Sequence, residues 1–320
     1  MRAQHFRMEY EGHSHYVYAW LPAEAESVKG VVQIAHGMAE TAARYARFAA
    51  FLCERGYAVY ANDHLGHGQT AGSPEAVGRY DRGGFEAMAS FMGALTSRLR
   101  ELYDRDVPLF IFGHSMGSFL TQYYMGTYLA EHPEQVQGIV LSGSNGKEGA
   151  AIHVAVRVAA VEAALRGEHH RSTLLNGLTF GAFNRKCKPA RTPFDWLSHD
   201  PAEVDAYMRD PYCGGVFTSG FFRDFFRGLQ EIHRPPHIDR VPKDVPVFVF
   251  SGDEDPVGAY GKGVLRLVEA YRRHGLEHVE MKLYPGGRHE MLNEVNRDEV
   301  MGDVAAWLES VGGRWGGKGA

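Results

Sequence analysis

The sequence predicts an α/β protein in which helices cover both faces of a mostly parallel sheet and a helical cap is inserted between two strands. Short apolar runs such as Gly30–Ala35 and Val107–Phe112 have the continuous character of strands buried on both faces. Segments with helical spacing of apolar residues, such as Gly84–Leu102, separate these runs. The alternation stops between about residues 143 and 240, and roughly a hundred residues are too many for a plain loop.

The individual elements follow from local signals. A weak alternation allows Tyr16–Leu21 to pair with His5–Tyr10 as an opening hairpin. Five other predicted strands are short, mostly apolar runs: Gly30–Ala35, Tyr57–Ala61, Val107–Phe112, Val136–Leu141 and Val245–Phe250. The last predicted strand is His278–Tyr284. The predicted helices are Ala42–Arg55, which Gly56 ends, Gly84–Leu102, Ser115–Glu131, which His132-Pro133 ends, Val264–Tyr271 and Glu299–Val311.

This pattern divides the chain into three parts. Residues 1–143 form the first part of the core, residues 144–240 form the cap, and residues 241–320 complete the core. We expect the cap to lie over the C-terminal edge of the sheet, because open α/β sheets place their sites at that edge.

Composition argues against several classes of partner. The 320 residues include 34 basic and 39 acidic side chains, so the net charge is −5, whereas nucleic-acid binders usually show a basic excess. The cysteines, Cys53, Cys187 and Cys213, have neither the number for a disulfide framework nor a CxxC zinc spacing. The polar N-terminus lacks a signal-peptide core, and no run reaches the ~18 apolar residues that span a bilayer. We therefore expect a cytoplasmic protein with no bound metal and no nucleic-acid partner.

A nucleophile motif lies between a predicted strand and a predicted helix. Gly113-His114-Ser115-Met116-Gly117 has the pattern GxSxG, which carries little information by itself. Here the strand Val107–Phe112 precedes it and a helical pattern follows. A sharp strand-to-helix turn exposes the serine oxygen, and flanking glycines let the neighbouring backbone pass closely. The alternative is that Ser115 simply caps the helix.

A serine hydroxyl needs a base, and the base needs a group to orient it. His289 follows the last predicted strand within a Pro-Gly-Gly loop, where it can reach Ser115. Two carboxylates, Asp253 and Asp255, share the loop after strand Val245–Phe250. Asp253 has the place of a turn residue, and Asp255 lies further out, next to Pro256. The residues alone favour Asp255 without excluding Asp253.

An oxyanion hole requires two N–H donors. The N–H of Met116, the residue after the nucleophile, is the first candidate. The second is the N–H of Met38, in the loop that follows strand Gly30–Ala35.

With these residues placed, the chain resembles the serine α/β-hydrolases known as monoacylglycerol lipases and bacterial lysophospholipases. The resemblance extends over about residues 15–310 and implies the α/β-hydrolase fold with a cap. The stretches that carry it are Ala35–Glu40 with Arg44-Tyr45, Gly56-Tyr57, Asn62–Gly68, Gly113–Gly117, Ser251–Asp255 and Arg288–Glu294.

The resemblance also implies roles for individual residues. The family spacing GxxD selects Asp255 as the acid. Glu40, Arg44 and His114 match residues that surround the polar head of the substrate in monoacylglycerol lipases. The alternative for Glu40 and Arg44 is a structural ion pair that supports the oxyanion loop. The family often has His-Ser after this glutamate, whereas this chain has Thr41-Ala42.

Aromatic residues are frequent in the cap, and two interpretations fit them. They line an apolar tunnel for an acyl chain, or they hold the cap against the core, which we expect for most of them. Similarly, Ala150–Leu165 is either an amphipathic lid helix that touches membranes or micelles, or a buried cap helix. The aromatic residues are Phe180, Phe183, Phe194, Trp196, Tyr207, Tyr212, Phe217, Phe221, Phe222, Phe225 and Phe226.

These observations predict a serine hydrolase that cleaves fatty-acid esters, such as monoacylglycerol or lysophospholipid, through an acyl-enzyme. The predicted catalytic residues are Ser115, Asp255 and His289, and the mechanism requires no cofactor. The alternatives are a short-chain carboxylesterase or thioesterase and, from another class, a hydrolase-like binding protein without turnover. The sequence leaves the oligomeric state open.

Overall fold

An eight-stranded sheet forms the centre of the computed structural model, which describes residues 1–23, 28–81, 83–147 and 149–316. The strand order across the sheet is β1-β2-β4-β3-β5-β6-β7-β8. The strands are β1 (Arg2–Tyr10), β2 (His13–Leu21), β3 (Gly30–Ala35), β4 (Tyr57–Asn62), β5 (Leu109–His114), β6 (Gly138–Ser142), β7 (Val247–Gly252) and β8 (Val279–Tyr284).

Seven of the eight strands run in the same direction, and β2 runs opposite to them. β1 and β2 form an antiparallel hairpin, β2 pairs antiparallel with β4, and all other neighbours are parallel. β3, β4, β5, β6 and β7 are buried along their whole length, as continuous apolar runs require. The register pairs Ala35 with Gly113 and His114 with Ser142, so the C-terminal ends of β3, β5 and β6 lie side by side. The predicted α/β fold class is confirmed.

Helices cover both faces of the sheet. α1 and α12 pack on one face through residues such as Leu52, Val304 and Leu308, whereas α3, α4 and α11 pack on the other through residues such as Met92, Leu120 and Leu267. The α-helices are α1 (Ala46–Cys53), α2 (Gly68–Ala71), α3 (Phe85–Leu102), α4 (Met116–Gly126), α5 (Tyr128–Glu131), α6 (Ala151–Arg166), α7 (Thr173–Phe180), α8 (Pro201–Arg209), α9 (Ser219–Ile232), α10 (Pro235–Asp239), α11 (Lys262–Arg273) and α12 (Arg297–Gly316).

Several predicted boundaries differ from the structure, and three of the differences illustrate the reasons. Helix Ser115–Glu131 begins one residue later and breaks at Thr127, next to Gly126, which has low helix propensity and lies against His237. The first four residues of Ala42–Arg55 form a 3₁₀ turn before α1. Strand Val245–Phe250 begins only at Val247, because Pro246 has no N–H to donate to the ladder.

The segment between β6 and β7 contributes α6 to α10 and, in its described residues, no strand. α9 buries Phe221, Phe222, Phe225 and Phe226, and it packs against α6 as well as against the core helices α3 and α4. These four rings therefore hold the segment to the core. Within the described ranges, no helix combines the length and apolar character needed to cross a membrane.

Candidate active site

Ser115 occupies a strained turn between β5 and α4. Its φ of 52° and ψ of −120° lie in a region that residues with a Cβ rarely adopt. Two hydrogen bonds hold the turn: the Ser115 N–H donates to the Ser142 carbonyl at 2.9 Å, and Ser118 Oγ donates to the Ser115 carbonyl at 2.6 Å. Ser115 therefore forms the apex of the sharp turn, or elbow, between β5 and α4.

Close backbone approaches explain the glycines of the GxSxG pattern. A Cβ on Gly117 would overlap the carbonyl oxygen of Ala35 at the end of β3. A Cβ on Gly113 would overlap the hydroxyl oxygen of Thr121 in the following helix. Without a side chain, Gly117 lets the elbow pack directly on β3, and Gly113 lets α4 pack closely on β5.

His289 and Asp255 form a buried hydrogen-bonded pair. Nδ1 of His289 lies 2.9 Å from Oδ1 of Asp255, and the two residues are 2% and 0% exposed. The same Oδ1 accepts the N–H of Val257 at 2.8 Å, and Oδ2 accepts the hydroxyl of Ser251 at 2.7 Å. Asp253 instead accepts the N–H of Gly286 in an exposed turn.

Each residue of this pair stabilises the charged form of the other. Burial alone would raise the pKa of Asp255, but the charge and hydrogen bond of His289, with the Ser251 and Val257 donors, bring this pKa below its usual 3.8. Burial alone would lower the pKa of His289, but Asp255 outweighs it and raises this pKa above 6.5. Near neutral pH, Asp255 is ionised and can accept a hydrogen bond from the Nδ1–H group of His289.

The loop after β3 lies against Ser115, and a histidine orients one of its peptides. Nδ1 of His36 lies 2.8 Å from the Gly37 carbonyl oxygen, which can only accept a proton. Because C=O and N–H point in opposite directions across a trans peptide, the Met38 N–H points away from the buried His36. A Cβ on Gly37 would lie 3.2 Å from Cβ of Ser115, so the loop is in contact with the elbow. In the described ranges, neither the Met38 nor the Met116 N–H donates to another protein group.

His36 lies in a cluster of buried histidines, and its contacts there determine its tautomer and its charge. Its Nε2 accepts the N–H of His64 at 3.0 Å, so the proton is on Nδ1. The rings of His64 and His67 lie 4.3 and 5.1 Å from the ring of His36. Burial lowers the pKa of His36 to about 4 and those of the other two well below 6.5, so all three are neutral at pH 7. No group of His, Cys, Asp and Glu in the described residues has an arrangement that could hold a metal ion.

Glu40, Arg44 and Glu290 form a buried ion network beside this loop. Arg44 donates twice to Glu290, at 2.6 Å each, and once to Glu40 at 2.7 Å. Glu40 in turn accepts the Gly37 N–H at 2.5 Å and the Tyr45 hydroxyl at 2.9 Å. Burial would raise the pKa of Glu290, but Arg44 brings it down to about 2. These contacts favour the structural interpretation of Glu40 and Arg44, since they hold the loop that follows β3.

One cavity brings most of the predicted site residues together. It encloses about 70 Å³, and Ser115, His289, Met38, Glu40 and His114 line it. Arg44 lines a neighbouring depression, which shares Glu40, His114 and Glu290 with the cavity. The segment between β6 and β7 supplies the opposite wall through Asn176, Phe180, Phe194, Trp196, Leu197, Tyr207, Gly214 and Gly215.

A family profile described as "Serine aminopeptidase, S33" matches residues 26–296 of the chain. A relative in Mycolicibacterium smegmatis, named monoacylglycerol lipase, is 31% identical over 289 residues, which are 88% of this chain and 89% of the relative. The chain belongs to the monoacylglycerol lipase-like family of serine α/β-hydrolases. It is accordingly a serine ester hydrolase.

Two further proteins are similar to this chain. The monoglyceride lipase of Mus musculus is 26% identical over 297 residues, which cover 90% of this chain and 84% of the mouse protein. A crystal structure of a thermostable carboxyl esterase from Bacillus coagulans, in complex with glycerol, superposes with a TM-score of 0.88. Its sequence is 28% identical, and the match covers 98% of this chain and 99% of the esterase.

Three residues near the site were absent from the predicted set. Ser251 supports Asp255, Glu290 binds Arg44, and Tyr207 donates its hydroxyl proton to the Ala39 carbonyl at 2.9 Å. Ser251 and Glu290 lie within the stretches that carry the family resemblance. A search for polar residues close to the predicted acid and base would have found the first two.

Proposed function

We propose that this serine hydrolase cleaves fatty-acid monoesters of a small polar alcohol, monoacylglycerol above all, through a Ser-His-Asp acyl-enzyme mechanism. The observation that carries the proposal is the shared cavity, in which a strained serine and a buried imidazole bonded to a carboxylate line the same wall. The names of the mycobacterial and mouse relatives supply the substrate class.

In the proposed reaction, Ser115 is the nucleophile and His289 transfers the protons. His289 accepts the Ser115 hydroxyl proton while the serine oxygen attacks the ester carbonyl, and Asp255 stabilises the resulting imidazolium. The N–H groups of Met38 and Met116 stabilise the oxyanion. His289 then gives its proton to the departing alcohol. Water attacks the acyl-enzyme with His289 again as base, which releases the fatty acid and restores Ser115.

The two walls of the cavity suggest how the substrate lies. Glu40, Glu290 and His114 make one side polar, which suits the hydroxyl groups of a glycerol head. Phe180, Phe194 and Trp196 make the other side apolar, which suits an acyl chain, and each buried CH₂ contributes about 0.8 kcal/mol. Because 70 Å³ is far below the ~300 Å³ of a typical ligand pocket, binding requires these cap side chains to move.

We also propose that the cap contacts the lipid aggregate that presents the substrate. α6 packs through Ile152, Ala159 and Ala163 but exposes Val154, Val161 and Leu165, and Leu165 is 81% exposed. α7 similarly exposes Leu174 and Leu178. Exposed apolar side chains on neighbouring helical turns suit transient contact with a micelle or membrane.

Replacing Ser115 by alanine tests the mechanism directly. We expect Ser115→Ala to abolish ester hydrolysis and labelling by a fluorophosphonate probe while thermal unfolding remains cooperative, because only the nucleophile is lost. The assay follows fatty-acid release from monoacylglycerol. Unchanged turnover in this variant would contradict the mechanism, and an unlabelled wild-type protein would support the binding-protein alternative.

A substrate series tests the proposed specificity. Rates on p-nitrophenyl esters of increasing chain length are compared with those on monoacylglycerol and lysophosphatidylcholine. We expect higher kcat/KM for long acyl chains and for monoacylglycerol. A maximum at acetate or butyrate would instead support a short-chain carboxylesterase.

A further inference from the structure

The cap donates hydrogen bonds directly to the loop that carries the Met38 N–H. The Ala39 carbonyl oxygen accepts the hydroxyl of Tyr207 at 2.9 Å and the N–H of Gly214 at 2.9 Å. Both donors belong to the segment between β6 and β7. The loop is therefore held from two sides, by His36 and Glu40 of the core and by these two residues of the cap.

The conformation of Ala39 explains why such support matters. Its φ of 61° lies in the left-handed region, which a residue with a Cβ adopts at a cost. Two hydrogen bonds to its carbonyl stabilise this conformation. Without one of them, the neighbouring Met38 peptide has more freedom to leave the orientation that His36 gives it.

Tyr207 is itself held firmly in place. α8 carries Tyr207 and is fixed to two core helices: Asp200, at its N-terminus, pairs with Arg297 at 2.8 Å, and Glu203 pairs with Arg47 at 2.6 Å. The Arg44 guanidinium lies over the Tyr207 ring, 4.9 Å from its centroid. Burial raises the pKa of Tyr207 well above 10, so its hydroxyl keeps the proton that it donates.

We propose that Tyr207 is a positioning residue for the oxyanion hole: its hydroxyl holds the Ala39 carbonyl and thereby sets the Met38 N–H relative to Ser115. The inference rests on the proposed function, in which that N–H stabilises the oxyanion. It assigns part of the catalytic geometry to the cap, so that hydrolysis depends on α8 being seated against the oxyanion loop.

The variant Tyr207→Phe removes only the hydroxyl group. We expect kcat to fall about three- to ten-fold, the range of one neutral hydrogen bond, because Gly214 still holds the carbonyl. The fall is the same for p-nitrophenyl acetate and for monoacylglycerol, and KM changes less than two-fold. A boronic acid that forms a tetrahedral adduct on Ser115 should bind more weakly by a similar factor, because it uses the same oxyanion donors.

Tyr80→Phe is the matched control. The Tyr80 hydroxyl also joins the core to the cap, through Asp224 at 3.0 Å, but it does so away from the oxyanion loop. We expect this variant to retain the wild-type kcat. Thermal unfolding of both variants checks that their folds are intact.

Four results would overturn the inference. If kcat is unchanged in Tyr207→Phe, the hydroxyl does not position the oxyanion loop. If kcat falls equally in Tyr80→Phe, the effect comes from general loosening of the cap. A rise in KM for monoacylglycerol alone makes Tyr207 a substrate contact instead. If the wild-type protein hydrolyses no ester, the proposed function is wrong and the inference falls with it.

Discussion

At the scale of single residues, the basicity of His289 depends chiefly on one carboxylate, Asp255, with smaller contributions from Glu290 and Glu40. Asp255 is fully buried, yet three donors hold it: Ser251, the N–H of Val257 and His289 itself. These bonds direct Oδ1 at Nδ1 of the imidazole and stabilise the ionised acid. The raised pKa of His289 follows from this contact, since burial alone would lower it.

The variant Asp255→Asn tests this dependence through the pH profile. The base must be neutral to accept the Ser115 proton, so kcat/KM falls as the pH drops through the pKa of His289, above 6.5. Removing the negative charge lowers that pKa, so the acid limb moves to lower pH. We also expect kcat to fall by about 10⁴-fold, because an amide favours the wrong tautomer. Ester hydrolysis across the acid range measures both effects.

Asp253→Asn provides the matched control for this experiment. Asp253 lies in the same loop but accepts the N–H of Gly286 in an exposed turn. We expect its acid limb to coincide with that of the wild-type protein. A shift of equal size in both variants would show that loop charge in general, and not the contact with His289, sets the basicity.

Sequence signals located some of these residues and missed others for a physical reason. Ser115, Asp255 and His289 each follow the end of a predicted strand, which is a local feature. The contacts of Glu290 and Tyr207 are not local: Glu290 binds Arg44 across 246 positions, and Tyr207 binds Ala39 across 168. Only the folded chain brings such partners together.

At the scale of elements, buried strands were more predictable than helix ends. Each of the strands β3 to β7 follows from a short, mostly apolar run, and its observed bounds lie within about two residues of the prediction. The break between α4 and α5 falls at Thr127, next to Gly126, where a Cβ would overlap the ring of His237 from another part of the chain. The local sequence contains the glycine but not this contact.

The cap helices allow a prediction about substrate presentation. We expect Leu165→Glu on α6 and Leu178→Glu on α7 to lower turnover of monoacylglycerol aggregates, because a charge on an exposed apolar face opposes contact with lipid. Turnover of soluble p-nitrophenyl acetate should stay at the wild-type rate. Fatty-acid release from micelles or vesicles, measured beside the soluble assay, separates the two effects.

Leu102→Glu is the control for this pair of variants. Leu102 is a similarly exposed leucine at the end of α3, in the core and outside the cap. Wild-type turnover of aggregates by this variant supports a specific role for α6 and α7. An equal loss in Leu102→Glu, or a loss on the soluble ester in the cap variants, would argue against lipid contact through the cap.

At the scale of the whole molecule, buried neutral histidines connect stability to pH. Burial lowers the pKa of each of five histidines, to about 3 for His15 and to about 4 for His36 and His114. In the unfolded chain these groups take up protons near pH 6.5, whereas in the native state they stay neutral until far lower pH. The five histidines are His15, His36, His64, His67 and His114.

The sign of the effect follows from proton uptake. Below about pH 6.5 the unfolded chain binds more protons than the native protein at these histidines, so stability falls as the pH falls. Each such group contributes a slope of about 1.4 kcal/mol per pH unit until its native pKa is reached. Asp63, whose pKa burial raises to about 6, and His289 act in the opposite direction but are fewer. The net expectation is a steep loss of stability in acid.

The variant His15→Phe isolates one of these contributions. His15 is 1% exposed and stacks on Phe91 with ring centroids 3.6 Å apart, so an apolar ring can take its place. Because its pKa is about 3, removing it should flatten the dependence of unfolding free energy on pH by about 1.4 kcal/mol per unit between about pH 6 and 4. Urea unfolding across this range measures the slope, which is independent of any constant packing cost. The exposed His132, changed to glutamine, is the control, and an equal flattening there would contradict the assignment to burial.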